Sequence, residues 1–196
     1  MSYLEHFTDD QRELLISLPY RAGLWMSESD ESGGDESQEA ELITLESLII
    51  GYAEDFLKSE FVEELMRQTL AAKERWGEWG NELDNVPQEC QSALAALQER
   101  MEPKDVLSFK QALIEIATAV AMAFREFDEE EQPVVEKVRL YSQYYWNCFL
   151  ARVKKQQPPN LDAILNISRA EQEVLEKLSQ ALEIDLEGNP VDDAAA

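Results

Sequence analysis

The sequence predicts an all-α fold, a compact helical bundle of about seven or eight helices with an internal pseudo-twofold repeat. Three observations carry this. Apolar residues recur at helical spacing in nearly every segment. No apolar alternation of period two persists long enough for a strand. One pattern occurs twice: Leu15, Ile16, Leu18, Ala22, Leu24 and Met26 run into Asp30, and Leu113, Ile114, Ile116, Val120, Met122 and Phe124 run into Asp128. Each run breaks into an acidic loop, Glu28 to Glu41 and Glu126 to Glu131, and resumes as a second long helix.

Each acidic-tipped hairpin has an apolar stripe that needs covering, so the repeat favours one domain. That domain is expected over residues 1–186, with repeat halves near 8–80 and 104–182 and a disordered acidic tail over 187–196.

The elements follow in order. Thr8-Asp-Asp-Gln11 reads as a capping box and opens the first helix. Pro19 lies inside it and should kink or split it near Leu18, because proline lacks the amide donor and clashes with the preceding turn. Its counterpart in the second copy is Ala117, so that helix should be straighter. Residues 27–37 contain no apolar side chain and read as a loop. The next helix carries Leu42, Leu45, Ile49, Tyr52 and Phe56 on one stripe. A helical stretch from about Glu60, with Phe61, Leu65, Leu70 and Trp76, should end near Trp79-Gly80, and Asn81 to Pro87 reads as a loop. Cys90, Ala93, Leu94, Leu97 and Met101 form a short amphipathic helix stopped by Pro103.

Val106 to Phe127 is the most apolar helix, and its small residues permit close contact, so it is expected at the centre. Pro133 is well placed to begin a helix that runs to about Lys155. Gln156-Gln-Pro-Pro-Asn160 breaks it, and Ser168-Arg-Ala-Glu171, a second capping box, opens a final helix through Leu182.

The chain has 196 residues, 44% of them hydrophobic, which is enough for a buried core. It carries 41 acidic and 17 basic residues, for a net charge of −24. That argues against binding nucleic acid through its phosphates and against attachment to anionic membranes. It permits cations, basic proteins or mimicry of nucleic acid. Cys90 and Cys148 match no zinc or redox spacing and read as free buried thiols. No secretory signal and no transmembrane run is visible, so the expected location is the cytoplasm.

Catalytic signals are weak. The sole histidine, His6, has no visible partner set, and neither phosphate-binding glycine motif is present. No Glu-x-x-His pair supports a di-iron hydrolase. The chain is therefore expected not to be an enzyme.

The first acidic loop is the better chemical candidate. Glu28, Asp30, Ser32, Gly33 and Glu39 follow the oxygen spacing of a calcium loop, since hard cations need several oxygens around a sharp turn. Glu where Asp is usual at the first position, and Asp35 where an apolar residue is usual at the eighth, depart from it. The second loop offers Asp128 and, in the following helix, Glu136. Charge runs are also commonly solvated faces, and carboxylates at a helix N-terminus interact well with its dipole without any ligand. Two aromatic groups, Trp76 with Trp79 and Tyr141, Tyr144, Tyr145, Trp146 with Phe149, read mainly as core, with a partner groove as the alternative.

The helix–Asp–acidic loop–Glu–helix units, Met26 to Asp30 through Glu39 or Glu41 and Phe124 to Asp128 through Glu136, resemble the TerB-like family, helical domains associated with bacterial tellurite resistance and stress responses. The closing segment Ile167 to Leu182 is similar to that family's final helix. The resemblance spans about Gln11 to Leu182 by pattern, without a rigid motif. It implies an all-helical domain with pseudo-twofold symmetry that acts through partners. It also implies a divalent metal at Asp30 with Glu41 and at Asp128 with Glu136; of the divalent cations, calcium is the one expected. The Asp-Gly step common in the family is absent, because Glu31 follows Asp30, and the first loop is longer.

Two functions follow as expectations. One is a non-enzymatic stress-response or signalling module that binds a divalent cation through its acidic loops and acts through a protein partner. The other is an acidic adaptor, or nucleic-acid mimic, that binds a basic protein surface. Neither involves direct nucleic-acid contact or membrane insertion, and the oligomeric state is left open.

Overall fold

The computed structural model describes residues 2–29, 34–54, 59–123, 169–186 and 188–190. Among them are seven α-helices and no strand, as the periodicity predicts. Helix α1 (Asp9–Ser27) starts at a complete capping box: the Gln11 amide donates to Thr8 Oγ1 at 3.3 Å, and the Thr8 amide donates to Gln11 Oε1 at 3.1 Å. Pro19 does not split α1, which continues through it as one helix. Pro19 leaves the Leu15 carbonyl without its helical donor. At the next carbonyl, Ile16, the Thr69 hydroxyl donates from another helix at 2.7 Å. Every residue from Ser17 to Ser27 is buried, so packing on all sides holds the segment helical despite the proline.

Helix α2 (Gly34–Glu54) begins inside the expected loop. Positions 35 and 36, which read as loop by composition, fall in its first turn. Gly23 lets α2 approach α1 closely: a Cβ there would lie 2.2 Å from Leu45 Cδ1.

The expected single helix from Glu60 to Trp79 is two. Helix α3 (Glu60–Ala71), capped by Ser59 Oγ accepting from the Val62 amide at 3.1 Å, gives way to a 3₁₀ turn, Lys73–Arg75, and then to α4 (Trp76–Trp79). The break re-aims the indoles inward. Trp76 stacks on Tyr20 with centroids 4.4 Å apart and donates Nε1 to the Thr69 carbonyl at 3.0 Å, and Trp76 and Trp79 are both buried. Core packing is therefore the structural role of this aromatic pair.

The expected loop at Asn81 to Pro87 is shorter than its composition suggests. A 3₁₀ turn, Leu83–Asn85, leads into α5 (Val86–Arg100), with Pro87 in its first turn, where a missing amide donor costs nothing. Pro103 both ends α5's run and opens α6 (Pro103–Ala123).

Helix α6 lies at the centre, as expected, packed on α1, α2, α3 and α5. Its alanines 112, 117, 119 and 121 are all buried, which is what close helix contact requires. The last described helix, α7 (Arg169–Leu182), packs on α5 and α6, and its opening residue Ser168 lies outside the described residues.

Residues 188–190 were expected in a frayed tail and instead turn back onto the bundle. Glu183 and Gly188 take left-handed φ values of 54° and 79°, Ile184 pairs with Pro190 and is fully buried, and Gln111 donates to the Gly188 carbonyl at 3.0 Å. Among the described residues no helix is long and apolar enough to cross a membrane. The second arm of the expected repeat, with Cys148 and the aromatics from Tyr141 to Phe149, lies outside the described residues, and the pseudo-twofold symmetry does not follow from α1 and α6 alone.

Candidate acidic cleft

One cleft of about 480 Å³ contains a residue singled out in the sequence. The end of α1 contributes Trp25, Glu28 and Ser29, the segment after α4 contributes Gly80, Glu82, Leu83 and Asp84, and the first turns of α7 contribute Ala170, Glu173, Val174 and Lys177. Four acidic residues, one lysine and one tryptophan are therefore among the described residues that line it. Trp25, Leu83 and Val174 are largely buried and form the apolar part of the wall.

The wall is positioned by Arg21, one turn before Trp25 on α1. Arg21 is 7% exposed and uses all five of its N–H donors. Nε and Nη2 donate to the two carboxylate oxygens of Glu89 at 2.9 and 3.1 Å. Nη1 donates to the carbonyls of Trp79 and of Asn81, the latter at 2.8 Å, and Nη2 also donates to the Glu82 carbonyl at 3.1 Å. A planar guanidinium can hold a carboxylate and three carbonyls at once in a way an ammonium cannot. This ties the 79–82 turn to α1 and α5.

Glu82 takes a left-handed φ of 54°, which turns the chain into the 3₁₀ turn. Its carboxylate accepts from Asn85 Nδ2 at 3.2 Å. At Gly80 a Cβ would meet Leu24 Cδ2 at 3.3 Å, so a small residue suits the approach to α1. Ser29 closes the end of α1 by donating its hydroxyl to the Met26 carbonyl at 2.7 Å.

The field of the cleft is negative. Lys177 is the one basic residue among the described lining residues, and Arg169 reaches Glu173 as an exposed pair at 3.4 Å. Burial, and after it the charge of Glu28, pushes the Tyr20 phenol above its ordinary value.

The sequence-predicted ligands fare unevenly. Glu28 is exposed and lines the cleft. Asp30, Ser32, Asp128 and Glu136 lie outside the described residues, and Glu39 and Glu41 are described only in the backbone of α2. The calcium-loop spacing meets a difficulty in that backbone. Its seventh position, which supplies a loop carbonyl to the ion, is Gly34, the first residue of α2. Among the described residues no three of His, Cys, Asp and Glu are grouped to hold a metal.

Glu82, Asp84, Glu173, Lys177 and Trp25 were not singled out in the sequence. No local signal marks them, because they meet only when α7 packs beside α1 and the segment after α4.

Cys90 is free and buried, and burial, then the neighbouring Glu89, pushes its thiol up to about 12. His6 is exposed on a 3₁₀ turn, Tyr3–His6. Comparison with protein-family models, with curated proteins and with solved structures finds no match to this chain.

Proposed function

We propose that this protein is a non-enzymatic acidic interaction module whose cleft takes a cationic group presented by a protein partner. The observation that carries the reading is the described lining of the cleft: Trp25 with Glu28, Glu82, Asp84 and Glu173, and among the described lining residues the single basic Lys177. Carboxylates attract and orient an ammonium or guanidinium, and an indole beside them adds cation–π attraction. The net charge of −24 steers a basic partner towards the molecule and keeps anionic surfaces away. The test is a heteronuclear NMR titration of the full chain with a blocked arginine-containing peptide. The Trp25 indole and the amides of 82–84 should shift, and a Glu28→Gln/Glu173→Gln variant should lose the shifts. Equal shifts in that variant would refute the reading.

A second reading is favoured by one observation, that Glu28 is both a cleft residue and the start of an acidic run with no Lys or Arg between Ala22 and Leu57. In it the acidic loop holds a divalent cation, calcium first, through Glu28, Asp30, Ser32 and Glu39 or Glu41, as the TerB-like resemblance implies for a stress-response or signalling module. The all-α architecture is compatible with that kinship. A ligand that binds only the folded state raises the melting temperature. A calcium-selective rise after chelator treatment, lost in Asp30→Ala, supports this reading, and an equal small rise with calcium, magnesium and zinc counts against it.

A further inference from the structure

We infer that the turn after α7 is a latch that keeps α7, and with it one wall of the acidic cleft, docked on the bundle. The turn comprises residues 183–186 and 188–190. Glu183, at φ 54°, ends α7 and reverses the chain, and the Ile184 amide donates back to the Ser179 carbonyl at 3.2 Å. The Ser179 hydroxyl donates to the Ile184 carbonyl at 2.5 Å. Asp185 closes the turn on itself. Its carboxylate accepts from the Asn189 amide at 2.7 Å and from Asn189 Nδ2 at 2.9 Å, and its own amide donates to the Asn189 carbonyl at 2.8 Å. This built element is anchored at three points. Ile184 is fully buried in the core, Lys110 Nζ pairs with Glu183 Oε2 at 3.0 Å, and Gln111 Nε2 donates to the Gly188 carbonyl at 3.0 Å.

The anchors suit release. Lys110 lies on the central helix and is 9% exposed. Among the described residues its ion pair is with Glu183, whose side chain is 64% exposed. A charge that stays buried after losing its partner is costly, but lifting the turn away also uncovers Lys110 to water. The turn therefore opens without stranding a buried ammonium.

Helix α7 depends on being held. It has 14 residues, a length at which an isolated helix is marginal in water. Its apolar stripe, Val174, Leu175, Leu178, Ala181 and Leu182, is buried against the bundle. Its first turns carry Ala170, Glu173, Val174 and Lys177 of the cleft, whereas no residue of the turn is among the described lining residues. The turn thus acts on the cleft through the seating of α7: when α7 leaves the bundle, Glu173 leaves the cleft. A site assembled in only a fraction of molecules binds with its affinity reduced by that fraction. This regulation of cation binding rests on the cleft reading, while the latch itself stands on the anchors.

The experiment is hydrogen exchange by mass spectrometry of the full chain in two variants. Gly188 has φ 79°, where a β-branched side chain is strained, so Gly188→Val disfavours the closed turn. Glu183→Gly keeps the left-handed turn and removes the Lys110 anchor. In both variants exchange of the turn's amides and of the 170–177 amides should rise at least about tenfold, while the 15–22 amides of α1 and the 90–97 amides of α5 keep wild-type rates. Three results overturn the latch. The turn exchanges faster with 170–177 unchanged, which makes it an end-cap only; the turn itself does not change; or the rise extends to α1 and α5, which makes the turn part of the global unfolding unit. If 170–177 loosen in both variants while the wild type binds no blocked arginine-containing peptide, the latch is supported and the cleft reading is refuted.

Discussion

Arg21 on α1 and Glu89 on α5 form a two-pronged ion pair, Nε to Oε2 at 2.9 Å and Nη2 to Oε1 at 3.1 Å, whose guanidinium also holds the Trp79, Asn81 and Glu82 carbonyls. The pair links the core to one wall of the acidic cleft. Removing one partner of a buried pair leaves the other uncompensated, so Arg21→Ala should cost about 3 kcal/mol, measured by denaturant unfolding. Arg21→Lys should recover only part of this, because an ammonium cannot reproduce the fork. Hydrogen exchange of the 80–84 amides should rise in both variants.

The glycines of the first hairpin should respond in opposite directions. Gly23→Ala drives a methyl to within 2.2 Å of a Leu45 carbon in a fully buried position, and overpacking of this kind costs about 1–3 kcal/mol, beyond the gain in helix propensity. Gly51→Ala meets open space within α2 and should stabilise by about 0.5–1 kcal/mol. Thermal melts of the two variants check both signs, and a double-mutant cycle of Gly23→Ala with Leu45→Ala should show a favourable coupling.

Arg75 donates to both oxygens of Glu13, at 2.8 and 2.5 Å, and Trp79 Nε1 donates to the same carboxylate at 3.1 Å. The Arg75 hydrogen bonds, foremost, hold the Glu13 carboxyl below the ordinary glutamate value of 4.5. A folded-state value below the unfolded one means stability that is present above pH 4.5 and lost as pH falls through the folded value. The stability difference between the wild type and Arg75→Gln should therefore shrink as pH is lowered through that window. A difference independent of pH would show that the contact is packing alone.

Cys90 should be inert towards thiol reagents in the folded protein. Its thiol is fully buried and pushed up to about 12, so thiolate at neutral pH is scarce. In a Cys148→Ser background, labelling should proceed only through unfolding and should accelerate in parallel with destabilisation by Arg21→Ala.

Much of the architecture was legible because helical periodicity and capping are local. Thr8 with Gln11 states the start of α1, and the apolar stripe through Leu113 and Val120 states the central helix. The errors arose where composition and tertiary packing disagree. Pro19 reads as a kink or a split, and α1 continues through it unsplit, buried around Leu18 and Tyr20. Positions 35 and 36 read as loop, yet they fall in the first turn of α2. Trp76 reads as part of one long helix, yet its stacking on Tyr20 accompanies a break after Ala71. The cleft was legible only at Glu28, because Glu82, Asp84 and Glu173 come from segments that local sequence does not connect.

The most direct measurement is hydrogen exchange by mass spectrometry of the full chain with and without a blocked arginine-containing peptide. The account predicts added protection confined to 25–29, 80–84 and 170–177, the three segments that line the cleft, and its loss in Glu28→Gln/Glu173→Gln. Protection elsewhere with these segments unchanged, or protection that survives in the variant, would contradict the acidic cleft as the site of cation recognition.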